Sequence, residues 1–280
     1  MKKLAAVLVL AIFGTLSSKS LAAQASGSPA APLSIGETFT IPSKILHETR
    51  RINVYLPAGY ETGKDTRFPV LYMPDGGMGE DFLHVAGLVQ VSVGNGTMRP
   101  FVLVGIENTE RRRDMTGPTD DPEDRKIAPR VGGSAAFREF LAKELMPEVR
   151  TRYRTTEETA IVGESLAGLF IVETFFLAPK MFDTYIALDP SLWWNRQALV
   201  NSAPGRLKER NGQSTLFLAT SDEKGIVKPT EQLVEALKAN APAGVHWSYE
   251  SMPAEGHGTI YHPAALKAFR ALFKPAPKSP

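Results

Sequence analysis

The serine in the run Gly163-Glu164-Ser165-Leu166-Ala167-Gly168 is the residue of this 280-residue chain best placed to do chemistry. The apolar stretch Thr159-Ala160-Ile161-Val162 leads into it, and Leu169-Phe170-Ile171-Val172 leads out. A strand, a sharp turn holding serine and a helix together lift a hydroxyl over a helix N-terminus, where a nucleophile is useful. Ala167 stands where the usual pattern has its second glycine. A serine hydroxyl is a poor nucleophile at neutral pH and needs a base. Among five histidines, His257 fits best, because Gly256 and Gly258 flank it in a loop between the last strand pattern and the last helix pattern. His262, at the start of that helix, is the runner-up; His246 reads as sheet packing, and His47 and His84 have no supporting context. A carboxylate must then orient the imidazole and stabilise its charged form. The strand pattern over residues 215–219 ends in Thr220-Ser221-Asp222-Glu223-Lys224, and position alone leaves Asp222 and Glu223 equal. The negative charge that develops on a carbonyl oxygen needs backbone donors. The N–H of Leu166 is one, and the loop Asp75-Gly76-Gly77-Met78-Gly79 offers a second.

The elements that must hold these groups follow from hydrophobic patterning. Strands rich in β-branched and aromatic residues are predicted at 38–41, 52–56, 70–73, 101–106, 159–162, 184–188, 215–219 and 246–251. Helices are predicted at 135–153, 166–177, 230–239 and 263–273, where apolar residues recur at three- and four-residue spacing. From Val70 onward the order alternates between strand and helix or loop. It implies an α/β fold with a mostly parallel central sheet, helices on both faces and the first two strands as an antiparallel edge. The order nucleophile, acid, histidine is that of the α/β-hydrolase fold. The longest irregular stretch, 108–133, is dense in Arg, Asp, Pro and Gly, and a loop of that length is usually functional.

Lys2 and Lys3 before an apolar run ending near Leu16, then small residues through Ala25, have the layout of a cleaved secretory signal. The expected organisation is a signal peptide over 1–25, a flexible lead-in over 26–33, one hydrolase domain over 34–275 and a tail over 276–280. The apolar run is too short for a stable membrane anchor. Removing residues 1–25, which hold three lysines and no acid, takes the formal charge from +2 to −1. Cysteine is absent, which excludes disulfides, thiolate metal sites and a cysteine nucleophile. The scattered histidines show no metal-binding spacing, and no cofactor is implied. The basic run Arg111-Arg112-Arg113 lies among Glu110, Asp114, Asp120, Asp121, Glu123 and Asp124, which argues against nucleic acid as a partner.

Several segments together resemble the esterase branch of α/β-hydrolases that includes enterochelin and other siderophore esterases, esterase D and, more distantly, the mycolyltransferases. They are Val54-Tyr55-Leu56-Pro57-Ala58-Gly59-Tyr60, Val70 through Gly76, Val104 through Thr109 with Arg111 to Asp114, the serine turn, Pro190-Ser191-Leu192-Trp193-Trp194 and Glu255-Gly256-His257-Gly258. The resemblance implies Ser165 as nucleophile, His257 as base, Gly77 as second oxyanion donor beside Leu166, and Glu223 in preference to Asp222 as the acid. Relatives often have histidine at the position of Glu164. The reading is a secreted serine carboxylesterase acting on a small-molecule ester, with siderophores among the implied substrates. Acyl transfer on the same fold and a non-catalytic periplasmic binding module are the alternatives. Arg111 and Arg113 suit anionic or catecholate groups, and Trp193 and Trp194 suit stacking; a self-paired loop and core tryptophans are the competing reading.

Overall fold

A computed structural model describes residues 30–275; the signal-peptide expectation, part of the lead-in and the 276–280 tail lie outside the described residues. One compact unit starts at Ile35. It carries eight strands: β1 (Glu37–Ser43), β2 (Glu48–Tyr55), β3 (Phe68–Pro74), β4 (Val102–Ile106), β5 (Thr155–Glu164), β6 (Thr184–Leu188), β7 (Ser214–Thr220) and β8 (Val245–Ser251). They form one sheet in the order β1-β2-β4-β3-β5-β6-β7-β8. β1 pairs antiparallel with β2, and β2 with β4; all other neighbours are parallel. The eight expected strands are therefore present, with the antiparallel edge where the sequence places it.

The helices are α1 (Phe82–Gly94), α2 (Arg111–Met115), α3 (Ser134–Phe140), α4 (Met146–Arg152), α5 (Leu166–Leu177), α6 (Trp194–Glu209), α7 (Lys224–Asn240) and α8 (Tyr261–Leu272). A π-helical turn, Leu141–Leu145, joins α3 to α4. Of these, α1, α2 and α6 were not expected. In α1 no charged residue marks a solvent face, so helical spacing is hard to read. In α6 Asn195, Arg196 and Gln197 take left-handed backbone angles and Pro204 lies inside the helix, so local propensity argues against it. Two apolar clusters flank the sheet. One includes Phe137, Phe170, Phe175, Tyr185 and Leu233; the other packs Phe82, Val85 and Val89 of α1 against Ala264, Ala268 and Phe269 of α8 and the opposite sheet face. Central strands are apolar on both faces because each side is covered.

β2 begins four residues earlier than expected, and the reason is electrostatic. Glu48-Thr49-Arg50-Arg51 looks like a charged loop, yet Arg50 is fully buried. Its guanidinium donates to Asp114 (2.6 Å), Glu48 (2.8 Å), Thr109 (2.8 Å) and the Glu107 carbonyl (3.0 Å). It also lies over the Phe137 ring, 5.2 Å from its centroid. A buried charge persists only when paired and hydrogen-bonded in this way. Arg113 closes the network on Glu48 and Asp114, so the α2 segment is tied to the sheet edge.

Burial raises the Glu48 carboxyl, but hydrogen bonds from Arg113, Arg50 and Thr109 outweigh it and hold the group down at about 2. Its ionised form therefore adds stability above the ordinary value of 4.5, and that stability is lost as pH falls toward about 2. Glu48→Gln is expected to lower the unfolding free energy by about 2 kcal/mol at neutral pH, after discounting for partial exposure. In denaturant titrations across pH, the gap from wild type should close over that acid window.

Candidate active site

Three strand ends and one loop converge at the carboxyl edge of the sheet. Ser165 sits between β5 and α5 with φ 62° and ψ −120°, a conformation that costs of order 1–3 kcal/mol and persists only when its surroundings enforce it. Here they do: Ser165 N–H donates to Leu188 O, while Ser165 O accepts from Leu169 N–H and Ser191 N–H. A Cβ on Gly163 would stand 2.7 Å from the Ala167 Cβ, so glycine is required at the strand end because helix and strand touch there. Ala167 is thereby accommodated, and the departure at that position leaves the turn intact.

The Ser165 Oγ lies 3.1 Å from His257 Nε2. His257 Nδ1 faces Asp189 Oδ2 at 2.7 Å. With a carboxylate as partner the Nδ1 proton points at Asp189, which leaves Nε2 as the acceptor facing the serine hydroxyl. Asp189 follows β6 directly, is fully buried, and has φ 44°. Its carboxylate also accepts from Ser221 N–H and Ser221 Oγ–H, both at 2.7 Å, and its own N–H donates to Ala219 O. The hydrogen bond to Asp189 raises the His257 pKa, against burial; Glu164, Asp189 and Glu223 add to the rise through their charge.

Ser165 and His257 thus meet as the sequence places them, but the expected acid does not. Glu223 is exposed, and its carboxylate caps α7 by accepting from Gly225 N–H. Asp222 is also exposed and engages Glu255 through its backbone N–H. The loop after β7 supplies Ser221 as a donor to Asp189, and the carboxylate that meets His257 Nδ1 comes one strand earlier. The order serine, acid, histidine is unchanged. The missed signal is an aspartate that directly follows the wholly buried strand Thr184–Leu188, just before Pro190.

Leu166 opens α5, so its N–H has no intrahelical acceptor and faces the same edge with the positive end of the helix. Gly77 departs from expectation. Its N–H donates to Glu80 Oε2 at 2.7 Å, because Glu80 folds back over the short turn that follows β3. The Gly77 amide is therefore already engaged.

A cleft of about 390 Å³ opens over the serine, lined by Ser165, His257, Ser191, Trp193, Arg111 and Arg112 among others. It meets a second cleft of about 600 Å³ bounded by Glu110, the three arginines, Ala128, Pro129 and Arg130; Arg111 and Arg112 line both. Of the tryptophans, Trp193 borders the serine, whereas Trp194 is buried and donates its indole N–H to Gly117 O. Arg111 is held bidentate by Asp75 at 2.7 and 2.9 Å. Arg113 does not reach the serine cleft and is spent on Glu48 and Asp114. Arg112 is exposed, and its guanidinium has no hydrogen bond or ion pair among the described residues.

Glu164, beside Ser165, has a side chain only 16% exposed, with Oε1 3.3 Å from His257 Nδ1. Oε1 is buried without a hydrogen-bond partner among the described residues, since the imidazole proton is aimed at Asp189. Burial, reinforced by Asp189 and Asp81 and opposed by His257 and Arg111, pushes its carboxyl up to about 7. Glu164, Asp189 and His257 have ligand-type atoms within 4.8 Å of one another. The Nδ1 atom that a metal would take is the one already committed to Asp189, so the group reads as a hydrogen-bonded set.

In a proton NMR titration, Asp189→Asn is expected to lower the His257 midpoint because the largest stabiliser of the imidazolium is lost, while Glu223→Gln should leave it nearly in place.

The family model described as "Putative esterase" matches residues 43–243. The ferri-bacillibactin esterase BesA of Bacillus subtilis is 26% identical over 268 residues, covering 85% of this chain and 92% of that protein. The apo-salmochelin esterase of Escherichia coli O6:H1 is 24% identical over 248 residues, covering 79% and 74%. Among solved structures, an IroE-like serine hydrolase from Shewanella oneidensis has a TM-score of 0.77 at 28% identity, covering 85% of this chain and 80% of that one.

Proposed function

The chain belongs to the esterase family whose model spans residues 43–243 and is a carboxylic ester hydrolase; from that premise we propose that it works through a serine acyl-enzyme on esters of siderophore type. The observation that carries the mechanism is the aligned set Ser165 Oγ, His257 Nε2, His257 Nδ1 and Asp189 Oδ2, with contacts of 3.1 and 2.7 Å. His257 removes the serine proton as Oγ attacks the ester carbonyl, then returns it to the departing alcohol. Asp189 stabilises the imidazolium, and the Leu166 amide at the α5 N-terminus stabilises the oxyanion. Water, activated by the same histidine, attacks the acyl-enzyme and releases the acid.

Support for the substrate class comes from two sides. BesA and the salmochelin enzyme are named for siderophore esters. Beside the serine, Arg112 is a cation with no ion pair among the described residues, suited to an anionic catecholate or carboxylate on the ester, while Trp193 offers a flat apolar wall. The N-terminal basic and apolar run supports export to a compartment where such chelates arrive.

A fluorophosphonate probe is expected to label Ser165 in the folded protein and to leave Ser165→Ala unlabelled; an unlabelled wild type refutes the serine mechanism. Asp189→Asn should lower kcat by about 10⁴-fold, as loss of an imidazole-orienting aspartate does elsewhere, whereas Glu223→Gln should retain most turnover. The reverse ranking contradicts the assignment of the acid.

For substrate choice, kcat/KM on a cyclic catecholate siderophore should exceed that on neutral nitrophenyl esters. Arg112→Ala should raise KM for the anionic ester about tenfold, the loss of one charge-assisted hydrogen bond, and leave the neutral ester unchanged. Equal effects on both esters count against charge recognition by Arg112.

A further inference from the structure

Glu164 carries a largely buried carboxyl group at the centre of the site to which the acyl-enzyme mechanism assigns no step. It is positioned by the same strained turn that presents Ser165, and its Oε1 stands 3.3 Å from His257 Nδ1, on the atom that Asp189 already binds at 2.7 Å. The imidazole is therefore flanked by two carboxylates: one hydrogen-bonded to Ser221, the other with a buried oxygen that no donor among the described residues satisfies. Leaving such an oxygen unpartnered is costly, which makes its retention at this spot informative.

We propose that Glu164 is a positioning residue for the esterase reaction, a second carboxylate on the His257 imidazole that stabilises its protonated form and sets the pH at which the enzyme becomes active. This rests on the serine-esterase reading above. The charged and titratable groups around it come from every neighbouring element: His257 after β8, Asp189 after β6, Arg111 of α2, Asp81 before α1, and the buried hydroxyl of Tyr261 in α8. Asp189 and Asp81 disfavour the ionised form of Glu164, while His257 and Arg111 favour it.

The direction of the effect follows from charge. An ionised Glu164 favours the imidazolium, so it raises the pH at which His257 becomes a free base and moves the acid limb of kcat/KM upward. The same charge stabilises the imidazolium formed during attack and so lifts the plateau above that limb. Burial pushes the Glu164 carboxyl up to about 7, the hydrogen bond to Asp189 raises His257, and the charge of each group acts on the other. The two protons are then taken up as a coupled pair, with apparent values that belong to the pair.

The test compares wild type with Glu164→Gln, which keeps size and removes charge. Two readouts are followed against pH: kcat/KM on a neutral nitrophenyl ester and the proton NMR titration of the His257 ring. The expected result is an acid limb and an imidazole midpoint that both shift downward by on the order of half a unit to one unit, with a plateau several-fold lower. A lower plateau with limb and midpoint unmoved shows a merely structural role and overturns the proposal. If the wild type turns over no ester at any pH, the esterase reading fails instead, and the NMR midpoint still reports whether Glu164 acts on the imidazole. Should Glu164→Gln not fold, carbon-13 titration of the Glu164 carboxyl in the native protein decides. A carboxyl shift that also inflects at the His257 midpoint supports the proposal, and a carboxyl shift with no inflection there overturns it.

Discussion

A carboxylate with no solvent exposure has to find its whole hydration shell inside the protein, and Asp189 finds it in donors from separate elements. Ser221, at the end of β7, supplies a backbone N–H and a hydroxyl, and His257, in the loop after β8, supplies an imidazole N–H. Any arrangement that released one of these would leave a buried charge short of partners, at a cost of several kcal/mol. The ends of β6, β7 and β8 are therefore coupled through one residue. Ser165 joins them through β5, whose Ser165 N–H bonds to Leu188 just before Asp189. This edge of the sheet is tied together by one carboxylate hydrogen-bonded to donors from separate elements.

On the other side of the cleft a second buried charge has a similar role. Arg50 binds Asp114, Glu48 and Thr109 at once, so the short α2 helix has a fixed place relative to the sheet. This settles how the three consecutive arginines divide. Arg113 turns inward to the Glu48 and Asp114 carboxylates, Arg111 lines the cleft but is clamped by Asp75, and Arg112 lines it with no ion pair among the described residues. A basic run that looks uniform in one dimension thus has two structural arginines and one open to a ligand.

The surroundings of His257 are unusually acidic for a site that must also hold an oxyanion. Glu164 and Asp189 contact the imidazole, and Glu223 adds its charge from the rim. Glu164 and Asp189 sit on the imidazole, whereas Glu223 lines the cleft together with Arg112 and with Leu166 at the α5 N-terminus. In the proposed serine mechanism the two carboxylates on the ring favour an imidazolium and the helix N-terminus favours an oxyanion.

By itself the sequence determined the eight strands, their largely parallel order and the meeting of Ser165 with His257. These depend on local patterns: apolar runs of strand length, glycines around a sharp turn, a histidine between the last strand and helix. The acid was not legible in the same way, because Asp222, Glu223 and Asp189 all follow strands. Only the packing of β6 between β5 and β7 decides which carboxylate is buried opposite Nδ1. Glu80 folds onto the Gly77 amide, and the Trp194 indole donates to Gly117 O, two pairings that no local pattern in the sequence encodes. Such outcomes depend on which group reaches a buried partner first, a question of distances between segments far apart in the chain. Spacing along a sequence records local geometry, and the pairing of buried charges is set in three dimensions.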